Sequence, residues 1–214
     1  MNRSAAVTRS LLGYGMVAGP FYLAVGVIQG FVREGFDFSR HALSHLANGA
    51  GGWVQTLSFL LTGAMVIAAA VGTARVLGPG SRGIGRFLAA YGAGILVAGV
   101  FRADPVDGFP PGTPEGMPTT ISTPGLVHFI AAALGFLSLA IACFVATRTM
   151  ARRGERGLAR LSLVTGIVVV LGFFGGPALG SKGIVGIWIA VVAGWAWLAI
   201  LSRHLYRVAP DTGC

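Results

Sequence analysis

The chain has 214 residues, 54% of them hydrophobic and 11% charged, with a mean hydropathy of +0.76. A soluble domain carries about 25% charged residues, and several apolar runs here exceed the roughly 18 residues that mark a bilayer span, so an ordinary soluble domain is excluded. The formal net charge of +9 comes from Arg in short loops between those runs, with Lys182 the one Lys; that placement is a topology signal and speaks against nucleic-acid binding.

The chain predicts six membrane helices over residues 11–31, 53–77, 84–101, 125–147, 161–179 and 184–202, all-α, in one integral membrane domain. The charged start, Met1 to Ser10, precedes an apolar run of about 21 residues. That is too long for the 7–15-residue core of a signal peptide and fits a first helix with Pro20 as a kink. Trp53 sits where interfacial aromatics sit. The turn after the second helix holds Gly78, Gly80 and Gly83 in G-x-G-x-x-G spacing, but a helix precedes it where a nucleotide site needs a strand. Residues 102–124 hold six of the ten prolines, which favours a semi-rigid connector or a lid over a cleft. Thr123-Pro124 reads as an N-cap followed by proline at the first helical position. Cys143 reads as a small buried hydrophobe, and Cys214 lacks the three further residues of a prenylation box. Glycines inside the spans, among them Gly15, Gly19, Gly172, Gly175 and Gly176, fit close helix packing.

Six helices put both termini on one side of the membrane. Twelve of the sixteen basic residues fall on that side, leaving Arg33, Arg40, Arg102 and Lys182 on the other. The positive-inside rule then makes both termini cytoplasmic, in a multi-pass plasma (inner) membrane protein, and turns the loops 36–55 and 102–124 outward.

No Asp, Glu, Lys, Arg or His falls in the middle of a span, which counts against a proton-coupled carrier. No polar stripe is legible that would line an export path. The outer boundary, by contrast, collects His41, Ser44, His45, Asn48, Arg102, Asp104, Asp107 and His128, with Gln29 and Gln55 in the adjacent turns. A short helix over Ser39–Leu46 would put His41 and His45 on one face at i,i+4. His128 would lie one turn into the fourth helix.

Two chemistries suit this set. His41, His45 and His128, with Asp104, have the types of a hydrolytic zinc site with an open position. Alternatively Asp104 and His128 exchange protons as acid and base, supported by His41 and Ser44. Arg102, Arg40, Gln55, Trp53, Asn48 and Gln29 would then hold the substrate. Each residue also has a structural reading: interfacial histidines, a serine bracing a turn, Asp104 paired with Arg102 or Arg40, a satisfied buried His128.

The residues Gly19-Pro20, His41-Ala42-Leu43-Ser44 with Leu46, Gly52-Trp53 with Gln55, Phe59 and Gly63, Phe101 to Pro105 (FRADP) and Gly125 to His128 (GLVH) carry a resemblance. The chain resembles, over nearly its whole length, the bacterial membrane family catalogued as domain of unknown function 998. The resemblance implies a six-helix membrane bundle and points to Ser44, Asp104 and His128, without an established activity. It also implies a variable, often acidic position after the serine, from which His45 departs. A looser similarity links the residue types to ceramidase-like membrane hydrolases, which use Ser, Asp and three His with zinc. The helix count and histidine order differ.

The expectation is therefore a membrane-embedded enzyme acting on a lipophilic substrate that enters from the lipid bilayer, by hydrolysis, isomerisation or proton-initiated cyclisation. Against it stand a non-catalytic envelope or accessory protein with a structural polar network, and a small-molecule exporter. An open cavity lined by Asp104 and His128 favours the enzyme, and a closed set of paired groups favours the scaffold.

Overall fold

The computed structural model describes residues 3–176 and 183–209. Six helices in it are long and apolar enough to cross a membrane. They are α1 (Arg3–Val32), α2 (Gly52–Leu77), α3 (Arg82–Val100), α4 (Thr123–Arg152), α5 (Arg156–Phe174) and α6 (Gly183–Val208). Among the described residues there is no strand, only an isolated bridge between Val106 and Phe109. Lys182, Cys214 and the predicted end of the fifth helix at 177–179 lie outside the described residues.

Four helices run further than the apolar windows indicated. α1 begins at Arg3, α4 runs to Arg152, α5 begins at Arg156 and α6 runs to Val208. Hydropathy marks only the hydrocarbon core, whereas the i→i−4 ladder continues into the interface wherever its polar side chains find partners. Arg9 supplies one such partner: it donates to the Ala209 carbonyl at 3.1 Å and lies over the Tyr206 ring, tying the start of α1 to the end of α6.

Each helix packs on its neighbours in sequence, and α1 packs on α6, so the six close into a ring, with α2 also touching α6 across it. Small residues let the backbones approach, because lipid tails offer no hydrophobic drive for helix association. A methyl at Gly92 would meet the Gly63 carbonyl of α2 at 2.9 Å, and one at Gly94 the Ala131 carbonyl of α4 at 2.9 Å. Gly172 and Gly176 likewise face Gly186 and Gly183 across the α5–α6 seam. The centre is filled by large rings: Trp195 lies 5.7 Å from both Tyr22 and Tyr91, and Phe136 stacks on Phe173 at 4.3 Å. Cys143 is fully buried in this core. Many large apolar side chains face outward, among them Phe31, Leu57, Leu134 and Val164, as a lipid-facing surface requires.

Both long loops, 33–51 and 101–122, lie at one end of the ring, opposite the start of α1 and the end of α6; we call this the loop end. The G-x-G-x-x-G turn lies at the other end, where Gly78 caps α2 with φ +73° and a 3-10 turn (Pro79–Ser81) leads straight into α3. It joins two helices, as its discarded match requires.

Candidate functional site

The polar residues singled out by sequence do gather at the loop end, and the geometry gives most of them a backbone partner. The predicted helix over Ser39–Leu46 is instead a turn followed by a 3-10 turn, Leu43–Ala47, so His41 lies outside it. Leu43 and Leu46 are the reason: both are buried, and Leu43 packs on Gly26 of α1. The 3-10 turn eclipses i and i+3 and so aims both into the core. His41 and His45 consequently meet edge to face, with ring centroids 6.0 Å apart.

Hydrogen bonds fix the histidine tautomers. His41 Nδ1 accepts from the Asp37 N–H at 2.9 Å, so its Nε2 carries the proton and donates to the Asp107 carbonyl at 3.1 Å. His41 is fully buried and stitches the two loops together. His45 Nδ1 accepts from the Ala42 N–H at 3.2 Å. Desolvation, and then the neighbouring His41 and His128, lower the His45 pKa from 6.5 to about 4, so it is neutral at pH 7. His128 Nδ1 faces two carbonyls, Ala98 at 2.8 Å and Phe101 at 2.9 Å, which only a protonated nitrogen can satisfy. It thus closes the C-terminal end of α3 from α4, and its ring meets Phe59 edge-on.

Asp104 does the converse. Its Oδ2 accepts from the Ser122 N–H at 3.1 Å, and the Ser122 hydroxyl in turn accepts from the Gly125 N–H at 3.0 Å as the N-cap of α4. The cap is therefore Ser122, one residue before the expected Thr123, because Asp104 orients it. The carboxylate occupies the space where a side chain on Gly125 would stand, beside the positive end of α4. FRADP and GLVH are in this way two reciprocal caps: α4 supplies the histidine that closes α3, and the segment after α3 supplies the carboxylate that opens α4. Asp104 and His128 make no hydrogen bond to each other among the described residues.

The loops are braced by further polar contacts. Arg33, missed by the sequence reading, donates to the carbonyls of Leu46 at 3.2 Å and Asn48 at 2.6 Å while lying over the Phe109 ring. Asn48 donates to the Ala103 carbonyl at 2.9 Å, and Trp188 of α6 to the Phe38 carbonyl at 3.1 Å. Arg40 pairs with Asp107 and Glu115, not with Asp104. The Pro-rich loop is anchored by the fully buried Phe109 and by Asp107 Oδ1 accepting from the Gly116 N–H, while most of residues 111–122 are exposed. Ser44 is half-buried in the 3-10 turn, and Trp53 projects outward at the start of α2.

Among the described residues no three His, Cys, Asp or Glu side chains gather into a ligand set. His41 already uses both ring nitrogens on backbone groups and His128 one, so His41, His45 and His128 do not fit a three-histidine zinc site. A cleft of about 350 Å³ does open at this end, lined by Asn48, Phe101, Arg102, Asp104, Ser122 and Pro124 among others, without His128.

Deeper in the ring lies a second polar group that the sequence reading did not recognise as a set. Gln29 Nε2 donates to Gln55 Oε1 at 2.7 Å, and the Tyr22 hydroxyl lies beside Gln55. Gln55, Ser58 and Thr62 line the inner face of α2 at i, i+3 and i+7, a polar stripe whose Ser and Thr leave no mark on hydropathy. The stripe is interrupted towards the other end by Val66, Ala69 and Ala70, all buried, before Thr73.

No curated protein and no solved structure matches the chain. A family pattern does match, over residues 16–204, that of the protein of unknown function DUF998. The residues holding the loop end together, from Arg33 to Trp188, all lie within that span, and the chain belongs to this family.

Proposed function

We propose that the protein is a non-catalytic integral membrane protein, an envelope or accessory component, whose loop-end polar residues hold helix ends and loops in register. The observation that carries this reading is the pair of reciprocal caps, because each residue expected to do acid-base chemistry has a structural partner: His128 the carbonyls of Ala98 and Phe101, Asp104 the N-cap Ser122. Left unpaired near the membrane boundary, such carbonyls would cost about 1–3 kcal/mol each. The distribution of Arg supports an arrangement with both termini cytoplasmic in a plasma membrane, which turns the capped end outward.

A second reading, the enzyme on a lipophilic substrate, draws on the cleft in which Arg102 and Asp104 stand together. There Asp104 would exchange protons and Arg102 would hold an anionic group.

Thermal unfolding of detergent-purified variants separates the two. Removing a catalytic group commonly leaves stability unchanged or raises it, whereas removing a cap lowers it. We expect His128→Ala to lose about 2 kcal/mol. His128→Asn, whose amide N–H can replace the Nδ1–H donor, should recover at least half of that. Unchanged or raised stability in both His128→Ala and Asp104→Asn overturns the scaffold reading and returns the residues to chemistry.

A further inference from the structure

Buried polar atoms in proteins nearly always have hydrogen-bond partners, and the exceptions point to an absent water or ligand. Among the described residues eight buried side-chain atoms lack a partner. Thr56, Thr73 and Ser202 carry three of them; the other five are Gln29 Oε1, Gln55 Nε2, Ser58 Oγ, Thr62 Oγ1 and Trp195 Nε1. Each of these side chains is at least nine-tenths buried: Gln55 and Thr62 are 0% exposed, Ser58 1%, Trp195 4% and Gln29 7%.

Their side chains come from α1, α2 and α6 and are spread along the seam between these helices. Tyr22 is the common neighbour, with its hydroxyl beside Gln55 and its ring 5.6 Å from Phe59 and 5.7 Å from Trp195. Gly19 permits the approach, since a side chain there would run into Trp195. Two facing amides can form two hydrogen bonds, and Gln29 and Gln55 form one. The other arm, a donor on Gln55 and an acceptor on Gln29, stays open. Below it come two hydroxyls, which both donate and accept, and one indole N–H.

The chemistry of the occupant follows. The seam holds no Asp, Glu, Lys or Arg, so a charged ligand would enter without compensation, at a cost of several kcal/mol in this environment. The open arm asks for one group that donates and accepts at once. A hydroxyl does both, donating to Gln29 Oε1 and accepting from Gln55 Nε2. Leaving the seam dry would strand five polar atoms in a bundle that has no bulk water to satisfy them.

We propose that the open arm of the Gln29–Gln55 pair, in the α1–α2–α6 seam, is a binding site for a neutral hydroxyl group, with Ser58, Thr62 and Trp195 completing the polar lining of the seam. Two sources carry that chemistry: bound water, and the free hydroxyl of a bilayer-soluble neutral lipid. The site is separate from the loop-end caps and does not depend on whether those are structural or catalytic.

The test uses the full chain in nanodiscs, wild type beside Gln55→Leu and Thr62→Val. Dioleoylglycerol is titrated against trioleoylglycerol, which lacks the hydroxyl, and water-edited NMR follows magnetisation transfer from water to the Gln and Thr side chains. A saturable rise in Tm with dioleoylglycerol alone, about 5 °C at a hundredfold excess over Kd and lost in either variant, assigns the site to a lipid hydroxyl. No lipid effect but water transfer to Gln55 and Thr62 in wild type, lost at the seam in the variants, assigns it to bound water. If neither signal appears in wild type, and Thr62→Val is as stable as wild type or more so, the seam is dry and the proposal fails. Thr62→Val is nearly isosteric and guards against a Gln55→Leu variant that does not fold.

Discussion

The loop end and the interior seam are opposite solutions to the same problem of placing polar groups in a membrane protein. At the loop end polar residues are dense, and the main ones are engaged: His41, His128, Asp104, Arg33 and Asn48 all bond to backbone groups of another segment. In the seam polar residues are few and uncharged, yet five of their atoms are unpaired. Density of chemistry-bearing residues therefore locates the loop end as the architectural joint. Unmet hydrogen-bonding capacity locates the seam as the place with something left to bind. A catalytic or binding role needs a group with an uncommitted lone pair or proton: the loop end keeps the second ring nitrogens of His45 and His128, and the seam keeps five buried atoms.

The sharpest way to break this contrast is at Gly125. The Asp104 carboxylate fills the space of its missing side chain, so Gly125→Ala forces the carboxylate off Ser122 and should cost about 3 kcal/mol. In an Asp104→Ala background the clash is gone and the same change should be nearly neutral. A double-mutant cycle on unfolding in detergent reads the coupling. Additive costs would mean that the carboxylate does not sit on the start of α4, and the reciprocal-cap description would fall with it.

Arg33 comes next. Its guanidinium satisfies two loop carbonyls and covers Phe109, so Arg33→Met keeps the apolar stem and loses both donations. The expected loss is about 2 kcal/mol, accompanied by faster amide exchange at residues 46–51 and little change in the seam. Protection lost equally in both regions would show that the loop end and the ring interior unfold as one unit and are not separable.

The pattern of what could be read from residues alone follows the same division. The six spans were legible, because an apolar run of bilayer length has few alternatives. So was the crowding at the loop end. What the residues did there was not, because FRADP and GLVH show positions without partners; whether His128 faces a substrate or the end of α3 depends on how α3 and α4 meet. Ser122 displaced Thr123 as the cap through a contact with Asp104, 18 residues away. The seam was hidden for a different reason. Ser58 and Thr62 barely lower hydropathy, and Gln29 and Gln55 read as residues near helix ends. The one available signal was the spacing of Gln55, Ser58 and Thr62, which puts all three on one helical face.

Acid should weaken the loop end before the seam. His45 has its pKa lowered to about 4 in the folded chain against 6.5 when unfolded, so below pH 6.5 the unfolded chain takes up the proton first. The stability contributed by keeping His45 neutral is complete above pH 6.5 and is lost as pH falls towards 4, on the order of 3 kcal/mol. Asp37, held low by the Ser39 hydroxyl and N–H, adds its own loss only below its usual carboxylate pKa. His45→Asn retains an acceptor for the Ala42 N–H and removes the titration. Its unfolding midpoint should therefore be flat between pH 7 and 5, where wild type declines. An identical acid limb in both would assign the decline to other groups.

The smallest effect is expected where the charges look most prominent. Arg40 pairs with both Asp107 and Glu115, but its side chain is 38% exposed and that of Glu115 is 74% exposed. Pairs in that setting exchange one set of hydrogen bonds for another with water and are screened by salt, so they contribute little to stability. Arg40→Ala should leave the unfolding midpoint almost unchanged, and any loss should vanish in about 0.5 M salt. Asp107 keeps its backbone work in the variant: its carbonyl still accepts from His41 and its Oδ1 from the Gly116 N–H. A loss comparable to that of Arg33→Met, persisting in high salt, would show that the exposed ion pairs hold the two loops together. The buried backbone contacts of His41, Arg33 and Asn48 would then be secondary, and the loop end would be an electrostatic clasp that salt can open.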